Sequence, residues 1–160
     1  MSPELLAEPA VGEVVFTTGM TGYQEVLTDP SYAGQIVVMT APQIGNTGVN
    51  SRDPESRHGR PHVAGFAVRE LSATTSSHRA ESSLKDHLTE TGVAHTTGLD
   101  TRRLTRHLRA HGAMNGAIGL GDVATLVDRA KSAPSMEGLD LATRVSCTEP
   151  YAFEETSPPE

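Results

Sequence analysis

Runs of apolar and β-branched residues predict three main strands in the first half of the chain. The strongest is the continuous apolar run 35–40, a pattern typical of a strand buried on both faces. Residues 12–17 and 62–69 are rich in Val and Phe, and each predicts a further strand. Between the first two strands, residues 23–27 predict a short helix, which a turn at 28–31 ends because a proline follows an aspartate there.

Helical spacing of apolar side chains begins after residue 80. Residues 80–91 predict a helix with Leu84 and Leu88 on one face, and Gly92 is its stop signal. A brief strand is predicted at 93–95. The order of these elements already mixes strands with helices.

Two aspartates mark the starts of two further helices. Asp100 is a favourable N-cap for a helix over 101–111, which Gly112 ends, and a strand is predicted at 114–118. Asp122 is the N-cap of the following helix. The apolar positions of that helix recur at i, i+3, i+4 and i+7: Val123, Leu126, Val127 and Ala130.

The predicted elements fall within residues 11–131 and indicate one α/β or α+β domain. Residues 1–10 form a loose, acidic lead-in, and residues 132–160 have a linker-like composition without periodicity. Inside the domain, residues 41–61 form a long polar stretch with several glycines and prolines. A loop of this length is either functional or disordered.

Composition narrows the classes of function. The chain has 160 residues, 36% of them hydrophobic, and a formal net charge of −7, which argues against a general binder of nucleic acids or anionic membranes. The sequence contains neither an apolar run of membrane-spanning length nor the basic and apolar regions of a secretory signal. Cys147 is the single cysteine and cannot form an internal disulfide, so we expect a reducing, cytoplasmic compartment.

Short patterns that suggest chemistry each have a more ordinary interpretation. His107 and His111 have the i, i+4 spacing of metal ligands, but Leu108 stands where a zincin helix has its glutamate, so a solvated helix face is favoured. The glycines of 116–121 lack the order of a phosphate-binding loop and favour a strand-to-helix turn. Cys147 has no nearby histidine and is not expected to be a nucleophile. We therefore expect no catalytic set and no metal site.

Four arginines are concentrated on the predicted helix 101–111. Such a cluster on an acidic protein forms either a surface with intramolecular ion pairs or a docking patch for acidic groups. The pattern of charges does not separate these two interpretations. The four residues are Arg102, Arg103, Arg106 and Arg109.

Three long motifs carry a resemblance to a known family. They are residues 12–37 (GEVVFTTGMTGYQEVLTDPSYAGQIV), residues 44–50 (IGNTGVN) and residues 98–109 (GLDTRRLTRHLR), the last continuing to GAMNG at 112–116. In this order and spacing they closely resemble the N-terminal domain of the small, glutamine-hydrolysing subunit of carbamoyl-phosphate synthase. The resemblance extends over residues 11–151.

The resemblance implies a β/β/α domain of the swivelling type, with helices packed on a mixed sheet. In the family this domain precedes an amidotransferase domain that releases ammonia from glutamine. The ammonia passes to a large subunit, which uses bicarbonate and ATP to make carbamoyl phosphate for arginine and pyrimidine synthesis. The resemblance thus implies a non-catalytic domain that docks the large subunit and needs no cofactor of its own.

The resemblance also implies roles for single residues of this chain. By position, Ser31 corresponds to the serine that approaches the bound glutamine. Asn46, Thr47 and Gly48 correspond to a loop near the subunit interface or the glutamine site. A serine on a proline-containing turn can donate one hydrogen bond and accept two, which suits an amide or a carboxylate.

The sequence departs from the family pattern in two ways, and these leave more than one interpretation of its function. Residues 1–10 are too few and too polar for the strand pair that opens the family domain, so we expect an unpaired sheet edge. The amidotransferase domain is missing from the sequence, so the chain is expected to be inactive alone, as a fragment or a split gene product. The alternatives are a stand-alone paralogue, recruited as a small enzyme or binding protein, and a decayed reading frame.

Overall fold

A five-stranded mixed sheet forms the centre of the fold. The computed structural model describes residues 8–152. The strands are β1 (Ala10–Thr17), β2 (Gln35–Met39), β3 (Gly65–Ala67), β4 (Ala94–Thr96) and β5 (Met114–Ile118), in the spatial order β4-β3-β2-β1-β5. Strands β1 to β4 are parallel to one another, and β5 runs antiparallel to β1. These strands, with the helices packed on them, confirm the α/β class.

Five helices accompany the sheet within the described residues. They are α1 (Tyr23–Thr28), α2 (Leu84–Glu90), α3 (Thr101–His111), α4 (Val123–Ser132) and α5 (Leu141–Val145), with a 3₁₀ turn at Pro30–Tyr32 after α1. The longest has 11 residues, and in the described part of the chain none is long and apolar enough to cross a bilayer. Residues 1–7 of the predicted lead-in and the end of the predicted linker lie outside the described residues.

Strand β2 lies in the middle of the sheet and is buried on both faces, as its apolar run predicts. Val37 and Met39 belong to a core cluster with residues of α1 and α2. Ile36 and Val38, which strand alternation directs to the opposite face, are equally inaccessible. The prediction of a strand without a solvated face is therefore confirmed.

The capping residues predicted the bounds of helix α3 correctly, whereas helix α2 is shorter than predicted because backbone pairing takes up its first residues. Helix α3 begins after Asp100, whose side chain accepts a hydrogen bond from the Arg103 amide, and it ends at Gly112 as predicted. Helix α2 begins at Leu84, four residues later than predicted, because residues 81 and 82 pair their backbone with Val49 instead. The predicted strand 62–69 is reduced to β3, whose neighbour β4 is also only three residues long.

The last two helices of the described chain differ from what the apolar pattern of the sequence predicts. Helix α4 packs against β5 and β1, yet Val123 is 72% exposed and Val127 is 42% exposed, so the predicted apolar face is only partly covered. The predicted linker contains the short helix α5, capped by Asp140 through the Thr143 amide. A helix of five residues is too short to show a hydrophobic period in the sequence.

Candidate functional site

The long polar loop 41–61 is fixed to the rest of the domain at two buried apolar residues. The Ile44 amide donates to the Glu70 carbonyl at 3.0 Å, and the Ser72 amide donates to the Ile44 carbonyl at 2.7 Å. The Val49 amide donates to the Ser82 carbonyl at 3.0 Å. Because both side chains are in the core cluster, the loop is part of the packed structure.

Between these two anchors the chain makes a tight turn with an exposed tip. The Gly48 amide donates to the Gly45 carbonyl at 3.1 Å, and both glycines have positive φ, at 109° for Gly45 and 67° for Gly48. Gly45 and Gly48 are buried, whereas Asn46 and Thr47 are exposed. The turn thus presents an amide and a hydroxyl side chain from a backbone that glycine makes possible.

Helix α1 holds this turn through the side chain of Tyr23. The Tyr23 hydroxyl donates to the Gly48 carbonyl at 2.8 Å and accepts from the Thr47 hydroxyl at 2.7 Å. Burial raises the pKa of Tyr23, and the hydrogen bonds to Thr47 and Gly48 partly oppose this effect. The phenol therefore stays protonated at neutral pH, which it must do in order to donate and accept at once.

The same helix holds the following part of the loop through two more polar side chains. The buried amide of Gln24 donates to the Asn50 carbonyl and accepts from the Asn50 amide at 2.9 Å. The buried Thr28 hydroxyl donates to the Gln24 carbonyl and accepts from the Glu55 amide at 2.9 Å. We call Tyr23, Gln24 and Thr28 the α1 clamp.

Ser31 lies at the opposite end of α1 from the clamped turn. The Asp29 carboxylate accepts a hydrogen bond from the Ser31 amide at 2.8 Å, and Pro30 begins the 3₁₀ turn, so the local sequence sets this geometry. The Ser31 side chain is exposed to solvent. Helix α1 has six residues and is about 9 Å long, and it separates Ser31 from the Thr47 tip.

A polar cavity of about 580 Å³ lies beside the loop. Its lining includes Asn50, Glu81 and His87, but not Ser31 or the tip residues. Burial lowers the pKa of His87, and among residues 8–152 its buried Nε2 has no hydrogen-bond partner. No sequence pattern singles out this histidine, because it comes beside the distant loop only in the folded chain.

The structure also places the other residues that the sequence singled out. The exposed rings of His107 and His111 stack at 4.3 Å between centroids, and the part of the chain described here contains no group of three residues arranged to hold a metal ion. Of the stretch 116–121, predicted as a strand-to-helix turn, residues 119–121 connect β5 to α4 and residues 116–118 belong to β5. Cys147 is an exposed free thiol.

The arginine helix contributes to a second cavity, a groove of about 420 Å³. Arg102, Arg106 and Arg109 line it together with Arg69, whereas Arg103 does not. Arg69 is not predictable from the arginine pattern of α3, because it follows a different strand and reaches the groove only in the folded chain.

The two earlier motifs of the sequence meet in the folded chain. Tyr23 and Gln24 belong to the first motif, and their partners Thr47, Gly48 and Asn50 belong to the second. Two segments that are separated along the sequence therefore form one hydrogen-bonded unit.

Comparison with known proteins identifies the family to which these motifs belong. A family model described as "Carbamoyl-phosphate synthase small chain, CPSase domain" matches residues 4–118. The match covers more than half of the chain, and the chain belongs to this family. The resemblance predicted from the three motifs is confirmed.

Individual relatives are similar over almost the whole chain. Proteins named carbamoyl phosphate synthase small chain are 53% identical in Solidesulfovibrio magneticus, 54% in Nitratidesulfovibrio vulgaris and 51% in Mycobacterium tuberculosis. The alignments cover 92%, 92% and 94% of this chain, and 40%, 39% and 41% of the relatives. The chain thus spans about two fifths of the length of these curated relatives.

Proposed function

We propose that this chain serves as the N-terminal, non-catalytic part of a glutamine-dependent carbamoyl-phosphate synthase small chain. In this role it docks the large subunit and supports the supply of glutamine-derived ammonia for carbamoyl phosphate synthesis. The observation that carries the proposal is the contact between the first two family motifs, which builds a rigid, exposed tip at Asn46 and Thr47. A rigid, exposed tip suits recognition of a neighbouring protein domain.

An exposed apolar strip supports docking as the role of the other side of the domain. Val123 and Val127 lie one turn apart on α4, Leu120 comes three residues before Val123, and the three side chains are 72%, 42% and 58% exposed in that order. Isolated apolar side chains are common on surfaces, but several exposed together favour a protein interface. We assign this strip, which we call the α4 strip, to the large subunit.

Capture of a large subunit tests the docking role. The tagged chain is mixed with the large subunit of one of the relatives and with that relative's separately expressed amidotransferase domain, and co-purification is measured. We expect capture by the natural chain and at least a tenfold loss with Val123→Asp plus Val127→Asp, because burial of two charges without partners is unfavourable. Ala124→Asp, on the same helix and also exposed, is the matched control and should retain capture.

Failure of the natural chain to capture the large subunit, with or without the amidotransferase domain, would contradict the docking role. Equal loss with Ala124→Asp would show that the effect is not specific to the exposed side chains of the α4 strip. Release of ammonia from glutamine by the purified chain would contradict the non-catalytic role.

A second measurement tests Ser31 as a contact for glutamine. Its exposed hydroxyl stands on a turn held by the Asp29 carboxylate, so a substrate amide or carboxylate can reach it. In the reconstituted complex we expect Ser31→Ala to raise the KM for glutamine about tenfold with little change in kcat, as the loss of one hydrogen bond to a charged group predicts. Ser51→Ala, another exposed serine of this domain, should leave KM unchanged. An unchanged KM in Ser31→Ala would remove Ser31 from the glutamine site.

A further inference from the structure

The arginine-lined groove lies at the carboxyl ends of the parallel strands. Thr18 directly follows β1, Thr40 directly follows β2 and Arg69 comes two residues after β3, and all three line the groove. Helix α3 forms its other wall. In open α/β sheets, ligands bind in the crevice outside the carboxyl ends of the strands. The volume of about 420 Å³ is in the range of small-molecule sites.

The groove is positively charged on an acidic protein. Arg102, Arg106 and Arg109 occupy one face of α3 at i, i+4 and i+7, and Arg69 faces them from the end of β3. Among the described residues that line the groove, none is acidic. Asp100, which precedes α3, is engaged as the helix cap on the Arg103 amide at 2.9 Å.

A buried hydroxyl in the wall of the groove has no partner. Thr105 lines the groove, and its Oγ1 is buried without a hydrogen bond to any residue between 8 and 152. Buried polar groups are nearly always hydrogen-bonded, so the Thr105 hydroxyl is available to a group bound in the groove. A threonine in a helix populates two χ1 rotamers, and rotation can turn the Thr105 hydroxyl toward an oxygen atom bound in the groove.

We propose that this groove binds the phosphate group of a small phosphorylated molecule. Guanidinium groups donate paired hydrogen bonds that match phosphate oxygens, and the threonine hydroxyls supply further donors. A phosphate dianion balances more of the charge of four arginines than a single carboxylate does. Every lining residue belongs to this chain, so binding of phosphate can be measured on the chain alone.

Calorimetric titration of the purified 160-residue chain tests the site. The probes are orthophosphate and glycerol 3-phosphate, with glutarate as a dicarboxylate, all at constant ionic strength. We expect saturable 1:1 binding of both phosphates and weaker binding of glutarate. Arg106→Gln and Thr105→Val should each weaken phosphate binding, the former by about tenfold or more, because one removes a charged donor and the other a hydroxyl of matched shape.

Arg129→Gln is the matched control, since it removes the same charge from an exposed position on α4 and should bind phosphate like the natural chain. Thermal unfolding of each variant checks that it is folded. Tighter binding of glycerol 3-phosphate than of orthophosphate would support a phosphorylated metabolite as the ligand, and equal binding would support recognition of the phosphate group alone. Three results would overturn the site: no saturable binding of either phosphate, glutarate binding as tightly as phosphate, or equal losses in Arg106→Gln and Arg129→Gln. None of them depends on whether the chain captures a large subunit.

Discussion

At the scale of single residues, the clamped turn depends on a glycine that two other segments enclose. Gly48 has a φ of 67°, a region that side chains with a Cβ disfavour. A Cβ added there would lie 2.6 Å from the Thr75 Cγ2 and 2.7 Å from the Ala80 Cβ. The position is therefore restricted by both backbone conformation and packing.

We expect Gly48→Ala to lower the free energy of unfolding by about 2–4 kcal/mol, combining the left-handed backbone penalty with the cost of overpacking. Chemical denaturation followed by circular dichroism measures this loss. Gly92→Ala is the matched control, because Gly92 has a φ of 69° but nothing within 4 Å of the added Cβ. It should lose only the backbone part, about 1–2 kcal/mol. Equal losses in the two variants would show that the enclosure of Gly48 has no energetic effect.

At the scale of elements, helix α1 depends on contacts with a distant loop, whereas helix α3 is defined by local sequence signals. Helix α1 has only six residues, too few for a stable isolated helix, and its polar clamp holds the loop while the loop holds the helix. Helix α3 carries its own start and stop signals in Asp100 and Gly112. Its position is therefore set by local sequence, and its arginines reach the groove because the helix packs against β1 and β2.

We expect Asp100→Ala to destabilise the protein by about 1 kcal/mol, because the Arg103 amide loses its capping acceptor. Asp100→Asn is the control, since an asparagine side chain also accepts at an N-cap and should lose much less. Thermal unfolding of both variants provides the measurement. Equal destabilisation by Ala and Asn would show that charge, not the capping hydrogen bond, is what Asp100 contributes.

At the scale of the whole molecule, the fold separates three surfaces. The rigid tip stands above α1, the positive groove opens at the carboxyl ends of the strands, and the α4 strip lies on a helix that packs against β5 and β1. The formal net charge of −7 is a sum over the whole chain and gives no sign of the positively charged groove. A charge total therefore excludes a general polyanion binder but leaves room for a local phosphate site.

Much of the fold was predictable because its signals are local. The apolar run of β2, the cap and stop of α3 and the bounds of β5 can be read from adjacent residues, and the structure confirms them. The start of α2 was not predictable, because residues 81 and 82 pair with Val49, a partner more than 30 residues away. Ser31, Asn46, Thr47 and Gly48 came from the family resemblance, and their part in recognition stays a prediction.

The sequence by itself determined the strands, the main helices, the family and the residues that cluster by type, because these depend on spacing along the chain. Only the tertiary structure decided that the first two motifs join through Tyr23 and Gln24, and that Arg69 completes a groove with the arginines of α3. It also decided that Val123 and Val127 stay exposed despite their helical pattern. These outcomes depend on which distant surfaces the packed sheet brings together, and hydrophobic periodicity does not carry that information.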